Sequence, residues 1–411
     1  MIGPIAKGLW HRKTGAALVA VQVALTLAIL CNAWVIVADR LDQLNRPSGV
    51  AEDELLYVQQ ISPGYDDDPF GTQRASEVLL RALPGVRQAA WINQAPLAQS
   101  GSSTGVANAD LSVKFLGAAH YSAAGSLVQT LGLKLVDGRD FAPDERVEMD
   151  LRRTRQPPAQ AKVIVTRQLA EQLYPGQPRV VGRLLRLGSD SGDPALQIVG
   201  VVDRLVSPWG RVGWLENDPF GERAFITSVR VNEREMYAVR TEPGRRAEVQ
   251  RDVADRLREA LPGRIVLNVR SQDGLRDRRY RGERWLAGVL AWVTGALLLM
   301  TAAGIVGLSS LWVAQRRRQI GVRRALGARR IDIVAQFLVE NLMITVCGVA
   351  LGSTLAVALN GALTRWTVLP PLPAGLLAAA ALALPLLGAA AVLAPALRAA
   401  RVSPAEATRA A

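Results

Sequence analysis

Four long stretches of the chain contain no charged residue, and they constrain its fold more than any other feature. They cover residues 14–38, 285–315, 341–364 and 366–397. A helix needs about 20 apolar residues to cross the hydrocarbon core of a bilayer, and each stretch is long enough. Lipid offers the backbone no hydrogen-bond partners, so each stretch must be helical. The sequence therefore predicts four transmembrane helices.

Two of these stretches need a further comment. The first has an apolar core longer than the 7–15 residues of a signal peptide, which favours an uncleaved anchor. The third helix is expected to begin before its charge-free part, near Ile333, so that it covers residues 333–364. Glu340 then lies in its first turns, either as a carboxylate near the headgroups, paired with an arginine, or as a functional intramembrane group.

The positive charge of the chain lies beside its apolar stretches. The net charge is +13, but residues 39–284 contain 35 Lys/Arg and 33 Asp/Glu, nearly a balance. A protein that binds nucleic acid is expected to place its basic residues on one face of a folded domain. We therefore expect no nucleic-acid partner, and we interpret the basic residues as signals of membrane orientation.

Basic residues precede the first apolar stretch, separate the second from the third and follow the fourth. They comprise Lys7, Arg12 and Lys13, seven arginines between positions 316 and 330, and Arg398, Arg401 and Arg409. By the positive-inside rule, residues 1–13, 316–332 and 398–411 are cytoplasmic. Residues 39–284 then lie outside, in the periplasm of a bacterium with an inner membrane.

Residues 39–284 are expected to form a mixed α/β domain with a weak internal repeat. Two β-α-β halves, near residues 50–100 and 229–271, each contain an amphipathic helix that ends in Leu-Pro-Gly. A strand-rich subdomain at about 104–228 is inserted between them. The fold class is therefore an α-helical membrane domain plus a large α/β periplasmic domain.

No catalytic or metal-binding constellation is found in the sequence. Residues 101–105 fit G-x-S-x-G, but we expect a loop there rather than a nucleophile elbow. Residues 66–68 are three aspartates without calcium-loop spacing, so a solvated loop is expected. His11 and His120 lie far apart, and both cysteines lie in apolar stretches, which disfavours a His-based metal site and a disulfide framework. An outward-facing enzyme is therefore disfavoured.

The arginine-rich segment between the second and third apolar stretches has three interpretations. It is a topology signal that touches anionic lipid, an amphipathic surface helix, or a docking element for a cytoplasmic protein. Its small residues, such as Gly321 and Gly327, allow another protein to approach closely, which favours docking. Topology and docking are compatible with each other.

The segment "RRRQIGVRRALGARRIDIVAQFLVEN" resembles the R-x-x-E-I-G-x-R-[RK]-A-x-G-A motif of FtsX/MacB-type ABC transporter permeases. "LGLKLVDGRDF" and "LQIVGVVD" are similar to pieces of that family's outer domain, and "PALRAARVSPAEATR" is similar to its tail. The order of spans also matches, so the resemblance covers nearly the whole chain. Gln319 replaces the usual Glu of the motif, and Thr408 replaces the usual Leu of the tail.

The resemblance implies a permease subunit that works as a dimer, with a second copy or a related permease. No G-x-x-x-x-G-K-[ST] motif occurs in the sequence, so ATP and Mg would be bound by a separate cytoplasmic ABC ATPase and no cofactor by this chain. A periplasmic adaptor protein is a further implied partner. The expected function is extrusion of a periplasmic substrate by mechanotransmission, and the alternative is an FtsX-like subunit that regulates an extracytoplasmic enzyme.

The docking residues come from the same resemblance. The implied ATPase-docking residues are Arg316, Arg317, Arg318, Ile320, Gly321, Arg323, Arg324, Ala325, Leu326, Gly327, Ala328 and Arg329. They would form the coupling helix of the family. Glu340 is expected to place its carboxylate at the membrane interface.

Overall fold

A computed structural model describes most of the chain. The described residues are 13–64, 66–113, 115–123, 125–154, 157–158, 160–188, 190, 192–210, 219–233, 235–261, 263–366 and 369–401. The chain forms two compact units: an outer unit, residues 45–282, and a membrane unit, which comprises the residues before and after it. Each unit is described by itself.

Long helices dominate the membrane unit, and short helices lie between the strands of the outer unit. The described helices are α1 (Lys13–Asn45), α2 (Pro69–Ala82), α3 (Leu127–Leu131), α4 (Arg167–Leu173), α5 (Arg246–Ala260), α6 (Gln272–Gln315), α7 (Arg317–Ala325), α8 (Arg330–Trp366) and α9 (Ala374–Ala400).

The strands belong to the outer unit. The described strands are β1 (Leu55–Ile61), β2 (Val86–Trp91), β3 (Ser103–Asn108), β4 (Leu116–Ser122), β5 (Leu135–Gly138), β6 (Val147–Met149), β7 (Lys162–Thr166), β8 (Leu184–Leu187), β9 (Ala195–Val202), β10 (Ala224–Thr227), β11 (Val229–Val231), β12 (Glu235–Thr241) and β13 (Ile265–Ser271).

Helices α1, α6, α8 and α9 are each long and apolar enough to cross a membrane. The prediction of four such helices is confirmed. All four extend beyond their charge-free stretches, because further turns continue α1, α6 and α8 and three residues continue α9 to Ala400. In the continuation of α1, Arg40 lies 3.4 Å from Glu283 of α6, so these two extensions are neighbours.

Two glycines of α8 bring its backbone close to α1. A Cβ atom added to Gly352 would lie 2.8 Å from the carbonyl oxygen of Ala24, and one added to Gly348 would lie 2.8 Å from that of Ala20. Such small residues at four-residue spacing are how membrane helices gain packing contacts, because lipid removes the hydrophobic driving force between them. Asn32 continues the contact by donating from Nδ2 to the carbonyl oxygen of Ala356 (3.2 Å).

Replacing Gly352 with alanine is expected to destabilise the membrane unit by about 1–3 kcal/mol, because the new methyl group meets backbone atoms that cannot rotate away. Gly361 is the matched control, since nothing lies within 4 Å of an added Cβ there. The thermal unfolding midpoint in detergent should fall for Gly352→Ala and stay unchanged or rise for Gly361→Ala. Equal midpoints for both variants would contradict the close approach.

A four-stranded sheet in the order β13-β1-β12-β2 forms the base of the outer unit. Its neighbouring strands are antiparallel, so β1-α2-β2 and β12-α5-β13 are two split β-α-β units. This confirms the two predicted halves. The glycine of the repeated Leu-Pro-Gly has the same backbone conformation in both units, with Gly85 at φ 81° and Gly263 at φ 92°. This is the left-handed conformation, which glycine adopts without strain.

The inserted part is a small barrel. Strands β9, β7, β10, β4, β3 and β8 form a ring, because β8 at the end of the sheet pairs back with β9. Strand β5 pairs with residues 200–202 of β9, beyond the residues that pair with β8. The prediction of a strand-rich inserted subdomain is confirmed, while its closure is a finding of the structure.

One loop prediction needs correction, and a second is refined. The G-x-S-x-G segment is not all loop, because Ser103 begins β3, where it pairs with Ala119 of β4. The flanking residues look loop-like, but pairing with neighbouring strands outweighs weak local preference. Among the three aspartates, Asp68 caps α2 by accepting a hydrogen bond from the backbone N–H of Gly71 (2.9 Å), and Asp66 lies 3.5 Å from Arg264. Residues 66–68 form a loop in which Asp67 and Asp68 are exposed, as expected, and the contacts of Asp66 and Asp68 tie this loop to its neighbours.

Candidate functional site

The arginine-rich loop contains a short helix, α7, which ends at a glycine. Gly327 has φ 98°, and its N–H donates to the carbonyl oxygen of Arg324 (3.1 Å), while that of Ala328 donates to Arg323 (3.1 Å). A residue in the left-handed conformation closes many helices in this way. No atom lies within 4 Å of a Cβ added to Gly327, so the backbone angle, not space, requires glycine here.

The next helix begins three residues later. The backbone N–H of Arg329 donates to Oδ2 of Asp332 (2.9 Å), which satisfies one of the free donors at the start of α8. The carboxylate also lies where the helix dipole favours negative charge. A tight turn at Gly327 and a capped start at Asp332 therefore hold α7 close to the start of α8.

One side of α7 faces the core of the membrane unit. Ile320 is only 5% exposed and belongs to the same buried cluster as Trp312, Ile333 and Phe337. Gly321 is buried as well. Burying one isoleucine side chain stabilises a structure by roughly 1.5–3 kcal/mol, so Ile320 anchors α7.

The other side of α7 and the following turn are exposed and apolar as well as basic. Leu326 is 83% exposed, Ile331 is 71% exposed and Val322 is 47% exposed. Exposed arginines surround them at positions 317, 318, 323, 329 and 330. Single exposed leucines are common, but a cluster of large apolar side chains rimmed by charges is typical of a protein-binding surface. We call Val322, Leu326 and Ile331 the apolar patch.

A buried ion pair joins the start of α7 to α8. Nη1 of Arg316 lies 2.6 Å from Oε1 of Glu340, and these side chains are only 15% and 4% exposed. Gln336 donates from Nε2 to the same carboxylate oxygen (3.1 Å), and its own Oε1 accepts from Arg323 (2.8 Å). The carboxylate is therefore paired with an arginine, one of the two arrangements the sequence left open.

The structure divides the residues predicted for docking into two groups. Arg316 is engaged with Glu340, and Ile320 and Gly321 are buried, so these three support the loop, while the exposed members of the set form its surface. The period of a helix turns one side inward in this way. The docking role of all twelve residues stays a prediction, and Ile331 and Gln336 lie outside the motif. Gln319 is exposed, so the departure from the usual Glu changes the surface of α7 alone.

The described residues contain no group of three or more His, Cys, Asp or Glu side chains that could hold a metal ion. The loop presents apolar and cationic side chains.

Comparisons with known proteins agree with this geometry. Residues 292–404 match the model of the FtsX-like permease C-terminal family. The chain is 24% identical over 360 residues to the macrolide export ATP-binding/permease protein MacB of Salmonella paratyphi A, covering 84% of this chain and 51% of that protein. It is 28% identical over 203 residues to MacB of Escherichia coli K12, covering 47% of this chain and 29% of that protein.

The chain therefore spans about half the length, or less, of these curated relatives. A solved structure, the extracellular domain of the noncanonic ABC-type transporter YknZ from Gram-positive bacteria, aligns with 52% of this chain and all of that one. The alignment has 14% identity and a TM-score of 0.31. The matched membrane region contains the whole arginine-rich loop with α7 and α8. Residues 292–404 are thus an FtsX-like permease C-terminal domain, and the chain is similar to MacB-type ABC transporter permeases.

Proposed function

We propose that this permease docks an ABC ATPase on the cytoplasmic side of the membrane and transmits its motion to the outer unit. ATP and Mg are bound by that ATPase, which is a separate subunit. The observation that carries the proposal is the apolar patch, which comprises Val322 of α7, Leu326 in the following turn and Ile331 at the start of α8. Ile320 and the Arg316–Glu340 ion pair fix α7 to the membrane unit.

The surface chemistry supports a protein partner. The buried centre of a protein interface is more apolar than the rest of the surface, and arginine is enriched in interfaces. An ATPase that fits this surface presents an apolar groove bordered by carboxylates. The same arginines fix the loop in the cytoplasm, together with both termini, so that the outer unit is periplasmic in a bacterial inner membrane.

One continuous helix, α6, can transmit motion along the chain. Helix α6 runs unbroken over 44 residues from Gln272 to Gln315, which corresponds to about 66 Å at 1.5 Å per residue. It begins in the outer unit and ends next to α7. We infer that displacement of α7 by the ATPase is passed to α6, and that the outer unit responds by extruding a periplasmic substrate. A dimer of permeases and a periplasmic adaptor complete the proposed assembly.

Leu326→Asp tests this proposal. The variant places a charge in the centre of the proposed interface and should weaken ATPase binding by about 2 kcal/mol or more, roughly thirtyfold. An ABC ATPase obtained by co-purification with the tagged chain is added to inside-out membrane vesicles, and permease-stimulated ATP hydrolysis is measured. Stimulation should be lost for Leu326→Asp and retained for Leu326→Met, which keeps an apolar side chain.

Right-side-out vesicles supply the orientation control, because externally added ATPase should not be stimulated there. Unchanged stimulation by Leu326→Asp would reduce the loop to a topology signal. Stimulation in right-side-out vesicles would reverse the proposed orientation.

A further inference from the structure

The small barrel of the outer unit is closed at one end by α4. Asn108, at the end of β3, donates from Nδ2 to the carbonyl oxygen of Leu173 (3.1 Å). Arg223, next to the start of β10, donates from Nη1 to Oε1 of Gln172 (2.9 Å). The opposite end, where β4 and β10 finish and β3 begins, holds a cavity of about 330 Å³. We call it the barrel mouth, a position where ligands bind in many barrels.

Three polar side chains meet at the barrel mouth. Nε2 of His120 lies 3.0 Å from Oγ1 of Thr227 and 3.2 Å from Oγ of Ser122, and the two hydroxyl oxygens are 3.2 Å apart. The imidazole stacks on Phe225 with ring centroids 4.7 Å apart. Burial lowers the pKa of His120 to about 4, so the ring is neutral near pH 7.

This cluster is rich in hydrogen-bond acceptors. Each hydroxyl has one proton and two lone pairs, and a neutral imidazole has one donor and one acceptor. If Nε2 of His120 accepts a hydrogen bond, the hydroxyl protons of Ser122 and Thr227 are both used within the cluster, and only oxygen lone pairs remain for a ligand. If Nε2 carries the ring proton and donates it, one hydroxyl proton and two oxygen lone pairs remain for a ligand. Whichever tautomer His120 adopts, the hydroxyl groups of Ser122 and Thr227 offer a ligand more acceptors than donors.

The rest of the lining is largely apolar. Among the described lining residues, Asp193 is the one that carries a charge, and its Oδ2 already accepts from the backbone N–H of Asp190 (2.8 Å). The apolar lining side chains are Met149, Pro157, Leu187, Pro194, Val229 and Val231. An anionic ligand would lose its hydration in such a cavity and gain no cationic partner. A cationic ligand would find only the carboxylate of Asp193, which is half-exposed and already accepts a backbone N–H.

We propose that the barrel mouth binds a small, uncharged, partly apolar molecule that presents hydrogen-bond donors, such as hydroxyl or amide N–H groups. Its apolar part lies against Met149, Leu187 and Val231, and its donors face Ser122 and Thr227. A wider hollow of about 790 Å³ shares His120, Ser122, Met149 and Val231 with the cavity, so a longer molecule of this class can extend into it. The site is independent of ATPase docking.

Three ring-matched probes test the class of ligand. The full chain in lipid nanodiscs, without ATPase or nucleotide, is titrated with 4-fluorobenzyl alcohol, 4-fluorobenzoate and 4-fluorobenzylamine, and binding is followed by fluorine NMR line broadening. Empty nanodiscs give the partitioning background. The alcohol should bind more tightly than the anion and the amine.

Variants then locate the binding. Ser122→Ala and Thr227→Val should each weaken binding of the alcohol about five- to tenfold, the effect of one hydrogen bond. Thr104 lies at the half-buried start of β3 and lines the rim of the same cavity. Thr104→Val is therefore the variant to test if Ser122→Ala and Thr227→Val fail to fold. Ser112→Ala is the control, because Ser112 is exposed beyond the other end of β3.

The proposal fails if the alcohol does not bind above the empty-nanodisc background. It also fails if the amine or the anion binds as tightly, or if every cavity variant that folds binds like Ser112→Ala. Because no ATPase is present, these outcomes are separate from those of the docking experiment.

Discussion

Replacing Glu77 with alanine is expected to lower the free energy of unfolding of the outer unit by about 3–5 kcal/mol. Glu77 lies on α2, and its Oε2 is 2.8 Å from Nη2 of Arg230 on β11, with side chains only 7% and 4% exposed. Its Oε1 accepts from the backbone N–H of Trp91 (2.6 Å). Removing the carboxylate leaves the Arg230 guanidinium buried without its partner, which is the main source of the loss.

The same helix supplies a matched control. Glu148 pairs with Arg74 of α2 at 2.5 Å, but these side chains are 38% and 53% exposed, so Glu148→Ala should change stability by less than about 1 kcal/mol. Pulse proteolysis of the full chain in urea, following cleavage of the outer unit, measures both variants. Equal losses for Glu77→Ala and Glu148→Ala would show that burial of the first pair does not govern its contribution.

Breaking the Arg316–Glu340 pair is expected to release α7 from α8. Glu340→Leu leaves the guanidinium of Arg316 with little solvent and no carboxylate, and allowing for its 15% exposure we expect a local loss of about 2–3 kcal/mol. The open population of the loop should then rise roughly 30- to 100-fold, since 1.4 kcal/mol corresponds to a factor of ten. Trypsin cleavage after Arg323 and Arg324 in inside-out vesicles measures that opening.

A double variant separates the ion pair from the packing. Arg316→Met with Glu340→Leu replaces both charges by apolar side chains of similar size, which often restores stability. Cleavage should return close to the wild-type rate, and permease-stimulated ATP hydrolysis should recover with it. If Glu340→Leu alone leaves the cleavage rate unchanged, the pair does not hold the loop.

Much of this architecture is readable in the sequence because it depends on local patterns. Charge-free stretches of 24 residues or more predict the spanning helices, including α8, which contains both Glu340 and Gly352. The repeated Leu-Pro-Gly predicts two equivalent helices, and the structure places a left-handed glycine after each. Alternation along "HYS" could also have placed His120 and Ser122 on one face of a strand, although nothing in that pattern points to Thr227.

Contacts between residues that are distant in the sequence do not follow from local patterns. The sequence determined the number of spans, the two β-α-β halves and the basic loop, because hydrophobic period and charge act over a few neighbouring residues. Only the tertiary structure decided that β8 closes the barrel onto β9, that Thr227 joins His120 and that Glu340 receives Arg316. These pairings depend on which surfaces meet after folding, and burial gives each its energetic weight.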